Sequence, residues 1–533
     1  MGNLKQFFFL LPIIVLACSC ARRGRPEGGP KDEKAPIMVI ANPPHKSLKF
    51  NKNAVKIFFD EYIVLKNLNK QLLVSPPLKT PLAISPQGTP SKYINIKILD
   101  TLKANTTYTF NFGNAIQDNN EGNKLESFKY VFSTGQHLDS LYFKGKVAHA
   151  FKKEADKDIN VLLFKYDSTF NDSVIYKKKP HYVSNTLDST AFNFSNLKDG
   201  NYLLLALKES SNDYLFNPKT DEIGFLSDTL VLPRDSVLQK ELRLFKEKQK
   251  FVLKRPKELF KGKIQFGFNG GDKKLKVQLL SSVPKDFSSF TEFEKNKDTL
   301  LFWHTPIASL DSLQFLVTDN DFIDTVTVRL KKKRIDSLKL SNSISNVLNL
   351  KDTLFLEANN PIVFIDSTKI KLLDKDSIEI IPKLKKISNN KLAILFEKNS
   401  NQKYILNILP DAISDIFNTK NDSLDYQFNT KDIEDYGAIV LNIQNKANKP
   451  LIVELLEKSR LIARQFISTS KKLTFELLEP KEYLVRVIVD ENNNKTWDTG
   501  NFLNKKQPER VLYFPEVFKL RANWIQNEVF LIE

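Results

Sequence analysis

Apolar side chains in this chain recur at every second position, in short β-branched or aromatic runs separated by clusters of Asn, Asp, Pro and Lys. The runs Val55 to Phe59, Tyr93 to Ile98 and Thr107 to Phe112 are examples. A period of two puts alternate side chains on one face of an extended strand, and few stretches carry the 3.6-residue period of a helix. An all-β fold is expected, and about seven such strands in roughly 100 residues is the count of an immunoglobulin-like sandwich. At 533 residues the chain has room for roughly three to five domains.

The pattern also repeats on a larger scale. Leu197-Lys198-Asp199-Gly200-Asn201-Tyr202-Leu203-Leu204-Leu205 aligns with Leu478-Glu479-Pro480-Lys481-Glu482-Tyr483-Leu484-Val485-Arg486, leucines and tyrosines in register. Glu209, Ser211, Asp213, Phe216 and Asn217 then fall opposite Asp490, Asn492, Asn494, Trp497 and Asp498. A looser match sets Tyr108 to Asn111, Ala115 to Asp118 and Phe132 to Thr134 against Tyr404 to Asn407, Ala412 to Asp415 and Phe428 to Thr430. With junctions at Ser133 to Leu138, Lys246 to Lys263, Lys331 to Arg334 and Thr430 to Tyr436, five β-domains are expected, over 36–136, 138–245, 246–334, 335–431 and 434–533. The third, of uncertain type, repeats no other segment.

The N-terminus reads as an export signal. Lys5 precedes the apolar run Phe7 to Ala17, which is shorter than the ~20 residues that span a bilayer. Small residues stand before Cys18 and Cys20, so residues 1–20 are expected to be a lipoprotein signal peptide ending at one of these cysteines. Residues 21–35, rich in Gly, Pro and charge, form a tether. Both cysteines of the chain lie in the signal region, so the body has no disulfide and relies on hydrophobic cores. Serial sandwiches on such a tether would set the last domain far from the membrane.

Catalytic signals are scarce. Only 17 glycines are present, and there is no G-x-x-x-x-G-K-[ST], G-x-G-x-x-G after a strand, G-x-S-x-G or H-E-x-x-H. His45, His137, His149, His181 and His304 are scattered without metal-ligand spacing. Asp490, Asn492, Asn494 and Asp498 offer oxygens at alternate positions, as in a calcium loop, but Lys495 stands where the turn wants glycine and Asn501 where a closing Glu belongs. The competing reading is an Asx-rich connection bonded to its own backbone, with Trp497 and Phe216 packing each loop onto its sandwich. Asp60 and Glu61, adjacent on a strand, point to opposite faces and cannot flank one substrate. Asp118 to Gly122 reads as a turn.

Charge narrows the partners. Eighty Lys and Arg against 62 Asp and Glu give +18, with no basic groove interleaved with aromatics to suggest nucleic acid. Anionic lipid headgroups, an anionic glycan or other envelope proteins suit a tethered basic chain better. Solvated lysines that blunt sheet edges are the simpler account of the same charge.

The segment Cys20-Ala21-Arg22-Arg23-Gly24-Arg25-Pro26-Glu27-Gly28-Gly29-Pro30-Lys31-Asp32, with Ala35-Pro36, Asn42-Pro43, Phe58-Phe59-Asp60-Glu61 and Asn114 to Asn123, resembles Bacteroidetes lipoproteins that begin with an SbsA-like bacterial Ig-like domain. The resemblance implies an Ig-like first domain, prealbumin-like or carboxypeptidase-regulatory-like sandwiches for the second and last, and lipidation at Cys20, with Cys18 as the alternative. It implies no catalytic activity and no cofactor. The expectation is an outer-membrane lipoprotein, facing the periplasm or the cell surface, with a structural or binding role in adhesion or assembly. The alternative is an accessory subunit or enzyme of polysaccharide processing with a cleft around Trp303 and His304.

Overall fold

In the strand Ala54–Leu65 the alternation becomes a buried face: Val55, Ile57 and Phe59 lie in a core, while Lys56 and Phe58 face outward. A computed structural model describes residues 31–533 apart from 238, 272–273, 306–309, 332, 345 and 447. Cys18, Cys20 and most of the tether lie outside the described residues. Nearly all regular structure is strand, and the one α-helix among the described residues is a single turn, Leu68–Gln71.

The sheets fall into five consecutive blocks of sequence. In the first (38–133), Met38–Asn42, Ala54–Leu65, Ser91–Lys97 and Ala83–Ser85 lie side by side, and Ile116–Asp118 pairs with the far end of Ala54–Leu65. A second sheet of Leu73–Ser75, Thr107–Asn111 and Lys129–Ser133 closes over the core of Ile57, Ile94, Phe110 and Phe132. The fourth block (340–429) has the same strand order, its long strand divided into Leu354–Ala358 and Ile362–Ile365. Matching details support the equivalence. The hydroxyl oxygens of Tyr108 and Tyr404 each accept a backbone N–H at 2.9 Å, from Lys103 and Asn399, and their rings stack on Phe132 and Phe428, both at 5.5 Å.

The third block (252–329) also follows this order, with Lys263–Asn269, Thr299–His304 and Ser289–Phe293 in one sheet and Lys276–Leu279, Ser312–Asp319 and Phe322–Arg329 in the other. Its kinship is absent from the sequence because strand order constrains which positions are apolar, not which apolar residue fills them.

The second (141–244) and fifth (437–532) blocks share another order. In each, the first strand pairs in parallel with the last, Leu141–His149 with Gln239–Leu244 and Gly437–Asn445 with Ile525–Ile532. In each, a buried tyrosine donates its hydroxyl to a carbonyl four residues back, Tyr202 to Lys198 (3.1 Å) and Tyr483 to Glu479 (2.9 Å).

The blocks do not run out as a string. The first packs beside the second, where Ser75 Oγ accepts the Val183 N–H and Lys179 Nζ reaches the Leu78 carbonyl. The third meets the fourth through Trp303, Leu301 and Ile416, and the fourth meets the fifth through Lys431 and Glu479. The fifth then returns to the second: Phe502 is fully buried among Phe225, Phe245 and Ile223, its N–H donated to Glu247 Oε1 at 2.6 Å. The second to fifth blocks thus close a ring, which overturns the expected serial display of the last domain. The physical reason is the apolar outer face of the second block, which needs a cover.

Candidate functional site

The loops after Tyr202 and Tyr483 are built alike. Asp490 Oδ1 and Oδ2 accept the N–H groups of Asn494 (3.0 Å) and Lys495 (2.8 Å), and Glu209 Oε2 and Oε1 accept those of Asp213 (3.2 Å) and Tyr214 (3.0 Å). Asn493 and Lys495 have φ of 56° and 64°, and Asn212 and Tyr214 have 54° and 63°. The other oxygens expected to hold calcium are engaged as well. Asn492 Oδ1 accepts the Asn494 N–H, Asn494 Oδ1 accepts the Thr496 N–H, and Asp498 receives both asparagine amides and has Lys506 Nζ at 3.5 Å. Each of these side chains thus already accepts hydrogen bonds from within the loop, the pattern of a self-bonded Asx-rich connection. The loop aromatics differ from each other. Phe216 packs on Tyr176 in its own block, whereas Trp497 leaves its own sandwich and meets Phe151 of the second block at 4.7 Å.

The Glu209 loop forms the floor of a cleft of about 520 Å³ between the first and second blocks. One wall is apolar, from Leu72, Leu78 and Leu82; the floor is a polar chain in which Asn185 donates to Asn160 Oδ1 (2.8 Å) and Asn160 donates to Glu209 Oε1 (3.2 Å). Burial, and then the neighbouring Asp213, push the Glu209 carboxyl above its usual range. Lys70, Lys79 and Lys179 stand exposed at the rim. Sequence reasoning singled out Glu209 but missed the rest, because the lining comes from separate segments with no common motif.

His149, Asp156 and Glu222 come together on the second block close enough for a metal. The hydrogen bonds argue against one. His149 Nδ1 accepts the N–H groups of Phe151 (2.9 Å) and Lys152 (3.1 Å), so in the neutral ring the proton sits on Nε2, the atom facing Glu222 at 3.6 Å. Lys208 Nζ, 3.0 Å from Asp156 and 3.9 Å from Glu222, already supplies the positive charge.

The remaining candidates are structural. Burial works against the Asp118 charge, but N–H bonds from Glu121, Asn123, Gly122 and Asn120 outweigh it and hold its carboxyl below the usual range. Asp60 is exposed and Glu61 half-buried on opposite sides of their strand. Trp303 and His304 are buried, the first between the third and fourth blocks and the second against Phe287, its pKa lowered by burial. The cleft expected around them for the polysaccharide-processing alternative is instead a packed interior.

No curated protein matches the sequence. Solved structures similar to the chain include domains 1–6 of the surface layer protein SbsC (11% identity, 92% of this chain and 68% of that one, TM-score 0.15). Others are the N-terminal eight Ig domains of the Down Syndrome Cell Adhesion Molecule (9%, 95% and 61%, TM-score 0.15) and domains A168–A170 of titin (11%, 46% and 92%, TM-score 0.14). Residues 32–134 match the family of bacterial Ig-like domains.

Proposed function

We propose that this protein is a lipid-anchored scaffold of the bacterial envelope, attached through Cys20 or, alternatively, Cys18, that binds rather than transforms its partner. The observation that carries the reading is the cleft between the first and second blocks, a polar floor with an apolar wall at a junction between two sheet pairs, where ligand sites commonly form. Its lysine rim suits an acidic glycan: hydroxyls would meet Asn160, Asn185 and Glu209, sugar C–H faces would meet the leucines, and carboxylates would meet Lys79 and Lys179. We further propose that the first block is one of five domains, with prealbumin-like sandwiches second and last.

Calorimetric titration with an oligouronide tests the site. Binding that is lost in Lys79→Glu/Lys179→Glu and absent for a neutral oligosaccharide supports it, and equal affinity for both sugars sinks it. Protease shaving of intact and lysed cells tells periplasmic from surface display.

A further inference from the structure

The outward face of the first block's larger sheet is apolar and basic, where a solvent-facing sheet carries polar residues. Ile40, 61% exposed, lies opposite Phe58, and Phe58 lies opposite Tyr93. Tyr93 and Tyr62 are exposed, with Lys56 Nζ 3.9 Å from the centre of the Tyr93 ring and Lys92 Nζ 5.4 Å from that of Tyr62. The fourth block shows that the fold does not require this. Counted back from the residue that pairs with the turn aspartate (Ile63 with Asp118, Ile362 with Asp415), Phe58 corresponds to Glu357 and its cross-strand neighbour Tyr93 to Lys391, which form an ion pair at 2.7 Å. The same sheet position is charged in one block and aromatic in the other.

We propose that this face of the first block rests on a bilayer surface bearing anionic headgroups. The proposal depends on the lipid-anchor reading above. The sheet's edge strand Met38–Asn42 is the first of the described strands, and at full extension the chain from Cys20 to Pro36 reaches no more than about 55 Å. This block is therefore the one held nearest the acyl chains. Tyrosines, with an apolar ring and a polar hydroxyl, suit the headgroup level, and lysines suit anionic lipid. The one carboxylate among these side chains, Asp60, accepts the Ile37 N–H at 2.8 Å, and its carbonyl accepts Lys92 Nζ at 3.1 Å.

The body of the chain has no cysteine, so Tyr62→Cys, Tyr93→Cys and, as a control on the fourth block, Ile381→Cys can each carry one environment-sensitive fluorophore on the full-length acylated protein. In vesicles of phosphatidylethanolamine with phosphatidylglycerol, the labels at 62 and 93 should shift to the blue and lose iodide quenching several-fold, while the label at 381 stays quenched. Introducing the fourth block's pair as Phe58→Glu/Tyr93→Lys should restore quenching of the label at 62 without altering the fold. Full quenching at 62 and 93 on an acylated protein overturns the proposal, as does protection that appears in native envelopes but not in vesicles, which would assign the face to a protein. Mass spectrometry of the Cys20 peptide separates the two readings. Missing acyl chains sink the anchor, and the same labels on that unacylated protein mixed with vesicles still test the face.

Discussion

The ring of Phe502 meets that of Phe225 edge to face, centroids 5.4 Å apart, although the two belong to the fifth and second blocks. Phe245 lies behind Phe225, and a Cβ on Gly500 would fall 2.6 Å from the Phe245 ring, so the chain ahead of Phe502 can lie this close only as glycine. Tyr513 donates its hydroxyl to the Phe151 carbonyl (2.8 Å), and the Arg486 guanidinium lies over the Phe151 ring at 4.0 Å. One buried aromatic side chain thus centres a contact between distant parts of the chain.

Phe502→Ala should open this contact while leaving both blocks folded. Truncating a buried Phe costs about 3–5 kcal/mol, here charged to the junction and not to either core. Hydrogen exchange would show faster exchange in the Glu222–Phe225 strand, and small-angle scattering a larger radius of gyration. Unchanged exchange and radius would mean that the ring does not depend on this residue.

The junction should also weaken as pH rises. Burial pushes the Glu247 carboxyl above its ordinary 4.5, against the smaller opposing effect of the Phe502 N–H. Below 4.5 both closed and open forms are protonated and the closed form carries no penalty. As pH climbs from there through the raised value, the open form has released the proton and the closed form has not, so closure loses stability until the full penalty stands. Glu509 is raised by burial too, but its carboxyl accepts the Glu491 and Asp498 N–H groups inside the fifth block, so its loss of stability with rising pH falls on that block and not on the junction. Glu247→Gln should therefore flatten part of the pH dependence of the exchange measurement and tighten the ring at neutral pH; an identical profile would remove Glu247 from the account.

Lys495 is a side chain in a left-handed conformation (φ 64°), which costs roughly 1–2 kcal/mol and which glycine avoids. Lys495→Gly should raise the melting temperature of the fifth block slightly, offset in part by glycine's greater unfolded-state entropy. Asp490→Ala should lower it, since two N–H groups lose a charged acceptor, about 2–3 kcal/mol in all. Calcium should leave the melting of the unmodified protein unchanged; a calcium-dependent rise that disappears in Asp490→Ala would restore the loop as a metal site.

Tyr483→Phe removes a buried hydroxyl and leaves the Glu479 carbonyl without that donor, which should destabilise the fifth block by about 1 kcal/mol. Tyr202→Phe should cost the second block a similar amount through Lys198. Burial, and then the Glu457 charge, push the Tyr483 hydroxyl up to about 12, so spectrophotometric titration should find it among the last tyrosines to ionise. Ionisation near the ordinary value would mean the hydroxyl is not buried in solution.

The all-β character and the kinship of the second and fifth blocks were legible in the sequence, because a period of two and a tyrosine in register with leucines are local properties that survive duplication. The Glu209 and Asp490 loops were legible as equivalent for the same reason. Their chemistry was legible only as two alternatives, a calcium loop or an Asx-rich connection bonded to its own backbone. Spacing alone suits both, and the particular N–H groups that Asp490 accepts, those of Asn494 and Lys495, appear only once the loop is folded. Trp303 and His304 stood out by residue type, yet their burial depends on where the fourth block lies.

What the sequence determined by itself was therefore the secondary structure and the repeat, both set by spacing along the strand. The tertiary structure alone decided the strand order of the third block, the cleft above Glu209 and the burial of Phe502. Each of these brings together segments far apart in the chain, and no local pattern records which apolar face will cover which.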